Sequence, residues 1–131
     1  MDTHEILSYP LDTALILRKR KKLRRVLMEQ GEAKRELKIA VLGGSTTSEL
    51  VCLIELFLLG HGVQSEIYES DYGLFFEEAV FTNEALTQFS PDVVYVHTSV
   101  KNLAGGVDAA KEKWVAVWDG LKALGCTIIQ N

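Results

Sequence analysis

The sequence predicts an α/β fold of three layers, α/β/α, built on a parallel sheet and preceded by a basic helix. Three observations carry that expectation. Lys38 onward alternates strand-like and helix-like segments, the pattern of a parallel sheet with helices on its faces. Before Lys38 the chain reads as one charged helical stretch. At 131 residues and 47 % hydrophobic content, the whole is one ordinary domain with enough apolar side chain for a core.

In chain order, residues 10–34 read as a helix. Pro10 suits an early position, Asp12 or Ser8 can cap it, and Gly31 interrupts or ends it. Its apolar residues cluster at Leu15, Ile16 and Leu17 and again at Leu23, Val26 and Leu27. Arg18 to Lys22, between them, are all basic, and five helical residues exceed one turn. The apolar stripe is therefore expected to break there, and the helix to dock by its ends rather than form a core of its own. Next come a β-branched run at 38–44 ending in two glycines, a helix over 46–62 stopped by Gly60 and Gly62, and an alternating strand at 63–70. Residues 72–81 read as a loop with a helical turn, 82–89 as a short helix, and 91–99 as a buried strand introduced by Pro91-Asp92. A loop at 102–106 leads to an amphipathic helix over 108–125, capped by Asp108 and stopped by Gly125, and then to a strand at 126–130. Right-handed crossovers give the flavodoxin-like strand order 2-1-3-4. The chain is expected to divide into a basic helical segment, 1–36, and an α/β domain, 37–131, cut short after its fourth strand.

Charge is unevenly spread. Residues 1–38 balance to +4 and residues 39–131 to −8, within a net charge of −4. An acidic chain with no aromatic residues among its basic ones argues against nucleic acid as a partner. The run Arg18–Arg25 reads as a solvated helix face or as a dock for an acidic protein, with Arg18, Lys19, Lys22 and Arg25 as its contacts. Two cysteines do not make a disulfide scaffold, so Cys52 and Cys126 are expected as reduced, buried thiols. No apolar run of membrane-spanning length and no secretory leader is visible, so the expected location is the cytoplasm.

In an open parallel sheet, ligands bind beyond the carboxyl ends of the strands. That rim collects Gly43, Gly44, Ser45, Thr46 and Thr47 after the first strand, and Glu69, Ser70, Asp71 and Tyr72 after the second. The third contributes His97, Thr98, Ser99, Lys101 and Asn102, and the fourth Gln130 and Asn131. In VLGGSTTSEL, two glycines permit a tight turn and the following helix start offers free N–H groups to an anion or oxyanion. The spacing is neither a Walker loop nor a dinucleotide fingerprint. A plainer reading stands beside it, in which Thr46 or Thr47 caps the helix and Ser45 is a turn residue. Strands one and three are expected as neighbours, which brings Ser45 towards His97. Here too a plainer reading stands, a histidine held at a strand end by hydrogen bonds. Glu69 and Asp71 are taken as loop or ligand contacts, since no third oxygen ligand for a metal is evident; neither metal nor cofactor is expected. His61 reads as a solvated helix-end residue, and Trp114 and Trp118, four apart on one helix face, as core packing.

The stretches YPLDTALILRKRKKLRRVL, LKIAVLGGSTTSELVCLIELFLLGHG, EIYESDYG, FSPDVVYVHTSVKN and CTIIQN resemble the N-terminal domain of FkbH-like proteins. These are bacterial enzymes of the haloacid dehalogenase (HAD) superfamily, subfamily IIIC. The resemblance implies an SGNH-hydrolase-like domain that precedes a phosphatase-like HAD domain. It implies a role in placing a glyceryl or acyl unit on an acyl carrier protein, in polyketide or polysaccharide biosynthesis. It puts Gly43-Gly44-Ser45 at the Gly-Asp-Ser nucleophile block, with Ser45 as nucleophile or oxyanion contributor, and makes Asn102 the oxyanion donor. Gly44 replaces the block's Asp, and neither the Asp-x-x-His base block nor the Asp-x-Asp phosphatase motif occurs in the chain. An acidic carrier protein then suits the basic helix. Two other functions stay open: a serine esterase or acyl-transfer domain in which His97 serves Ser45 as base, and a protein-interaction module docking through that helix.

Overall fold

A computed structural model describes residues 2–30, 35–43, 47–70, 75–81, 84–99 and 105–131. In chain order the elements are α1 (Thr3–Ile6), α2 (Thr13–Arg18), α3 (Arg20–Gln30), β1 (Arg35–Gly43), α4 (Ser48–Gly60) and β2 (Val63–Glu69). They continue with α5 (Phe75–Val80), α6 (Glu84–Phe89), β3 (Val93–His97), α7 (Gly106–Lys122) and β4 (Thr127–Gln130). The strands form one parallel sheet in the order β2-β1-β3-β4, as the sequence predicts, with helices packed on it.

Two compact units are distinguished by their internal contacts: Met1–Leu37 with Ser48–Glu66, and Lys38–Thr47 with Ile67–Asn131. In the second unit, β1 and β3 pair in parallel with Ile39 opposite Val93 and Gly43 opposite His97; β3 and β4 pair with Val93 opposite Thr127. Because successive side chains alternate in direction, Ala40, Leu42, Val94 and Val96 share one face. They are fully buried there with Leu86 of α6 and with Val117 and Leu121 of α7. Ile39 and Val41, of the opposite parity, are buried as well. Burial on both faces is why β1 reads as an unbroken apolar run.

Helix α7 packs on α5 at Gly120, where an added Cβ would lie 2.1 Å from the Ala79 carbonyl oxygen. Only glycine permits that approach. The start of α7 corrects one expectation. Its N-cap is Gly105, in the left-handed region at φ 95°, and no side chain caps it; Asp108 lies in the first turn, where its charge complements the helix dipole. Trp118 corrects another. Trp114 packs against the core, but Trp118 stays 38 % exposed and donates its Nε1–H to Gln130 Oε1 at 2.6 Å.

The first unit replaces the single helix expected over 10–34. Asp12 does cap, its carboxylate accepting the Leu15 N–H at 3.0 Å. That helix ends at Arg18, and Lys19 leaves helical geometry with φ −97° and ψ 8° before α3 begins. The basic run therefore spans a junction and does not break the apolar stripe. Ile16 and Leu23, seven residues apart, enter the same cluster with Ile6 and Leu56, supported by Leu27, Leu53 and Phe57. Arg18 and Arg20–Lys22 stay exposed, and Lys19 is half-buried. The segment thus contributes to a core along its length rather than docking by its ends. Arg24 pairs with Glu55 of α4 at 2.5 Å, although this pair's exposure limits its contribution to stability.

Both cysteines are free and half-buried, Cys52 among the helices and Cys126 with its thiol directed at the Leu121 carbonyl. Burial pushes both thiol pKa values up; for Cys52, Glu55 and Glu49 add to the rise and Arg20 opposes it. A raised pKa leaves less thiolate at neutral pH, so iodoacetamide should alkylate both cysteines several-fold more slowly in the folded chain than in urea, with the rate climbing as pH rises. Equal folded and unfolded rates, followed by mass spectrometry, would contradict this. Gly120→Ala should destabilise the chain by about 1–3 kcal/mol through overpacking against Ala79, read as a lower urea midpoint. An unchanged midpoint would show that α5 yields freely.

Candidate functional site

The carboxyl rim of the sheet is set by where each strand stops. Gly43, the last residue of β1, lies opposite His97, the last residue of β3. On the other side of β1, Ser70 follows β2 and fastens that strand's end. Its N–H donates to the Val41 carbonyl at 3.0 Å, and its buried Oγ accepts the Gly43 N–H at 3.1 Å. The amide at the tip of β1 is thereby satisfied by a side chain rather than left open to a ligand. Thr47, 3 % exposed, donates its hydroxyl to Glu69 Oε1 at 2.7 Å. One oxygen of Glu69 is thus committed to holding the segment just before α4.

His97 is half-buried and its Nδ1 lies 3.1 Å from the Tyr95 hydroxyl. The two residues are i and i+2 on a strand, so they share the sheet face opposite the α5–α7 cluster. When Nδ1 carries the proton and donates to Tyr95 Oη, Nε2 is left as a basic nitrogen; when Tyr95 donates, Nε2 carries the proton instead. Either way Tyr95 fixes the ring. The plainer reading of His97 as a hydrogen-bonded strand-end residue therefore has a partner, and that partner sets the orientation of the ring.

Asn131 closes the far side of the rim. Its Oδ1 accepts from the Thr98 N–H at 2.8 Å and from the Thr98 hydroxyl at 3.1 Å, while its Nδ2 donates to the Thr98 carbonyl at 2.9 Å. A single carboxamide thus takes over both backbone partners a β-ladder would have offered. Gln130, expected on the rim, turns instead to Trp118.

The structure thus brings Gly43, Thr47, Glu69 and His97 to one edge. Gly44, Ser45, Thr46, Asp71, Lys101 and Asn102 lie outside the described residues. Of the basic contacts, Arg18, Lys22 and Arg25 are exposed and Lys19 is half-buried, so the first three present the charge. His61 is exposed at the end of α4, as expected, with Nδ1 donating to the Phe57 carbonyl at 2.8 Å.

Two polar features had no place in the sequence reading. Tyr95 was signalled by its spacing of two from His97. Glu78, only 7 % exposed in α5, accepts the Tyr68 hydroxyl at 2.9 Å among the aromatic side chains of the second unit. In FFEEAV it stands beside the core residue Ala79, and the sequence alone does not show that it is buried. Among the described residues no three His, Cys, Asp or Glu side chains gather as a metal site, and no helix is long and apolar enough to cross a membrane.

Ser70→Ala leaves the buried Gly43 N–H without its acceptor. The expected cost is about 1–3 kcal/mol, with faster hydrogen exchange at the Gly43 amide than at Ala40. Unchanged protection at Gly43 would show that another group accepts that proton.

The chain matches no protein-family model and no curated protein. Among solved structures it is similar to the N-terminal part of the protein BF1531 from Bacteroides fragilis, a structure containing a phosphatase domain complexed with Mg. The TM-score is 0.61 at 22 % identity, over 85 % of this chain and 32 % of that one. At that identity the likeness is one of fold, and this chain spans about a third of its neighbour's length.

Proposed function

We propose that this chain is the SGNH-like N-terminal region of an FkbH-like enzyme of the HAD superfamily. In this role it assists a downstream phosphatase-like domain in forming or transferring a glyceryl or acyl unit on an acyl carrier protein. One observation supports this above the others: the fold likeness spans 85 % of the chain, and the neighbour is the N-terminal part of a protein that contains a phosphatase domain. A phosphatase domain in the same protein agrees with the HAD context that the sequence resemblance implies. The rim fits an accessory role. The tip amide of β1 and one oxygen of Glu69 are occupied by Ser70 and Thr47, which ties the ends of β1 and β2 to each other and to the start of α4.

Carrier recognition falls to the exposed basic residues. Lys22 and Arg25, three apart on α3, share one helix face, and Arg18 ends α2 just before it, so the three exposed charges offer an acidic partner a basic surface. Replacing all three, together with Lys19, by Glu should slow association with an acyl carrier protein at least tenfold at low salt and flatten the salt dependence of the rate. Association at the parent rate would remove these residues from carrier docking and, with it, the reading of the chain as an interaction module built on this helix.

A second reading is favoured by the Tyr95–His97 pair. In an esterase or acyl-transfer domain, His97 Nε2 would take the Ser45 hydroxyl proton as the serine oxygen attacks an acyl carbonyl, and return it to the leaving oxygen. The two readings part in one assay. The isolated chain should release no p-nitrophenol from p-nitrophenyl acetate above a Ser45→Ala control. Turnover lost in both Ser45→Ala and His97→Ala would replace the accessory reading with the catalytic one.

A further inference from the structure

Helix α3 turns Leu23 and Leu27 into the core of the first unit. Its outer face carries a shallow groove of about 470 Å³ lined by Lys21, Arg24, Arg25, Met28 and Glu29. All five are exposed, Met28 by 40 %. Spacing explains the groove. Residues four apart on a helix stand one above the other, so Lys21, Arg25 and Glu29 form one row and Arg24 and Met28 the next. The furrow between two such rows is the shape into which a row of side chains from a second helix packs.

The chemistry along the furrow is graded. Among the described residues neither Lys21 nor Arg25 forms an ion pair, so both charges are available to a partner. Arg24 is held by Glu55 of α4, so its charge is partly spent while its stem still walls the groove. Met28 follows Arg24 in the same row and is the apolar residue of the groove. Its unbranched, polarisable thioether adapts to apolar side chains of different shape. Glu29 closes the far end with a negative charge. From the N-terminal end of α3 onward, the groove thus offers two available cations, then an apolar contact, then a carboxylate.

We infer that this groove receives an acidic amphipathic helix of a partner protein. Its carboxylates lie over Lys21 and Arg25, an apolar side chain rests on Met28, and no carboxylate faces Glu29. The charges speed encounter, and the contact with Met28 slows dissociation. This inference rests on the reading of the basic segment as a dock for an acidic carrier. It adds the residue that anchors the partner and the orientation in which the partner's acidic end lies.

The test titrates the full chain at low salt with a synthetic, side-chain-locked helix of about sixteen residues, long enough to cover the groove. The helix presents glutamates and one leucine along a single face, and amide shifts are followed by NMR. Two control helices carry lysines for the glutamates, or serine for the leucine. Saturable shifts centred on residues 21–29 are expected, with no saturable binding of the lysine helix and at least threefold weaker binding of the serine helix. Met28→Ser, at an exposed position and checked for an unchanged melting profile, should weaken the acidic helix about threefold to tenfold and leave its salt dependence as it was. Lys21→Glu with Arg25→Glu should weaken it at least tenfold and flatten that dependence, and Glu29→Lys should strengthen it. Shifts centred elsewhere, parent affinity in Met28→Ser, or a lysine helix that binds equally well would each overturn the inference. An acyl carrier protein titrated alongside separates the two readings. A carrier that binds the parent chain and Met28→Ser alike ends this inference and leaves carrier docking standing. An acidic helix that docks as expected, beside a carrier that does not bind, upholds the groove and ends carrier docking.

Discussion

The parallel pairing of β1 with β3 is the constraint from which the rest of the rim follows. With Gly43 opposite His97, the two central strands end level with each other. The parity that buries Leu42 and Val96 on one face directs Tyr95 and His97 to the other. Shifting one strand by a single residue would set an apolar position against the wrong face on one side of the pair, at the expense of side chains that are now fully buried. Hydrophobic burial therefore fixes the register, and the register decides which polar residues share the rim.

Short polar bonds then lock the strand ends that burial has aligned. Ser70 joins β2 to the tip of β1, Thr47 joins Glu69, and Asn131 grips Thr98. These bonds use the same groups that a ligand would otherwise seek. Among the described residues of the rim, these donors and acceptors are paired with each other, which fits the accessory role proposed for the chain. Tyr95 holds the His97 ring at this rim, the feature on which the alternative catalytic proposal rests.

Strand order and strand positions were legible in the sequence because both depend on apolar runs punctuated by glycine and proline. KIAVLGG and PDVVYVHTS show that punctuation plainly. The helical segment before them was harder to read. Five consecutive charges look like a break in an apolar stripe, and only the turn at Lys19 shows how Ile16 and Leu23 return to the same side. Asp108 had the residue type of a cap, but the left-handed Gly105 had already set the helix start. Trp118 had the spacing of a core residue, yet Gln130, reached through the register of β4, holds it at the surface. On the rim, residue type pointed to Glu69 and His97, but their partners Thr47 and Tyr95 depend on geometry that a linear pattern carries only in part.

The most direct test of this account is the alignment of β1 with β3 in solution. NMR on the isotopically labelled chain should show inter-strand contacts that pair Leu42 with Val96 and Gly43 with His97, together with a downfield His97 ring proton that disappears in Tyr95→Phe. Contacts that pair Gly43 with Val96 or with Thr98 instead would displace His97 from the rim as described and contradict the arrangement on which the site rests.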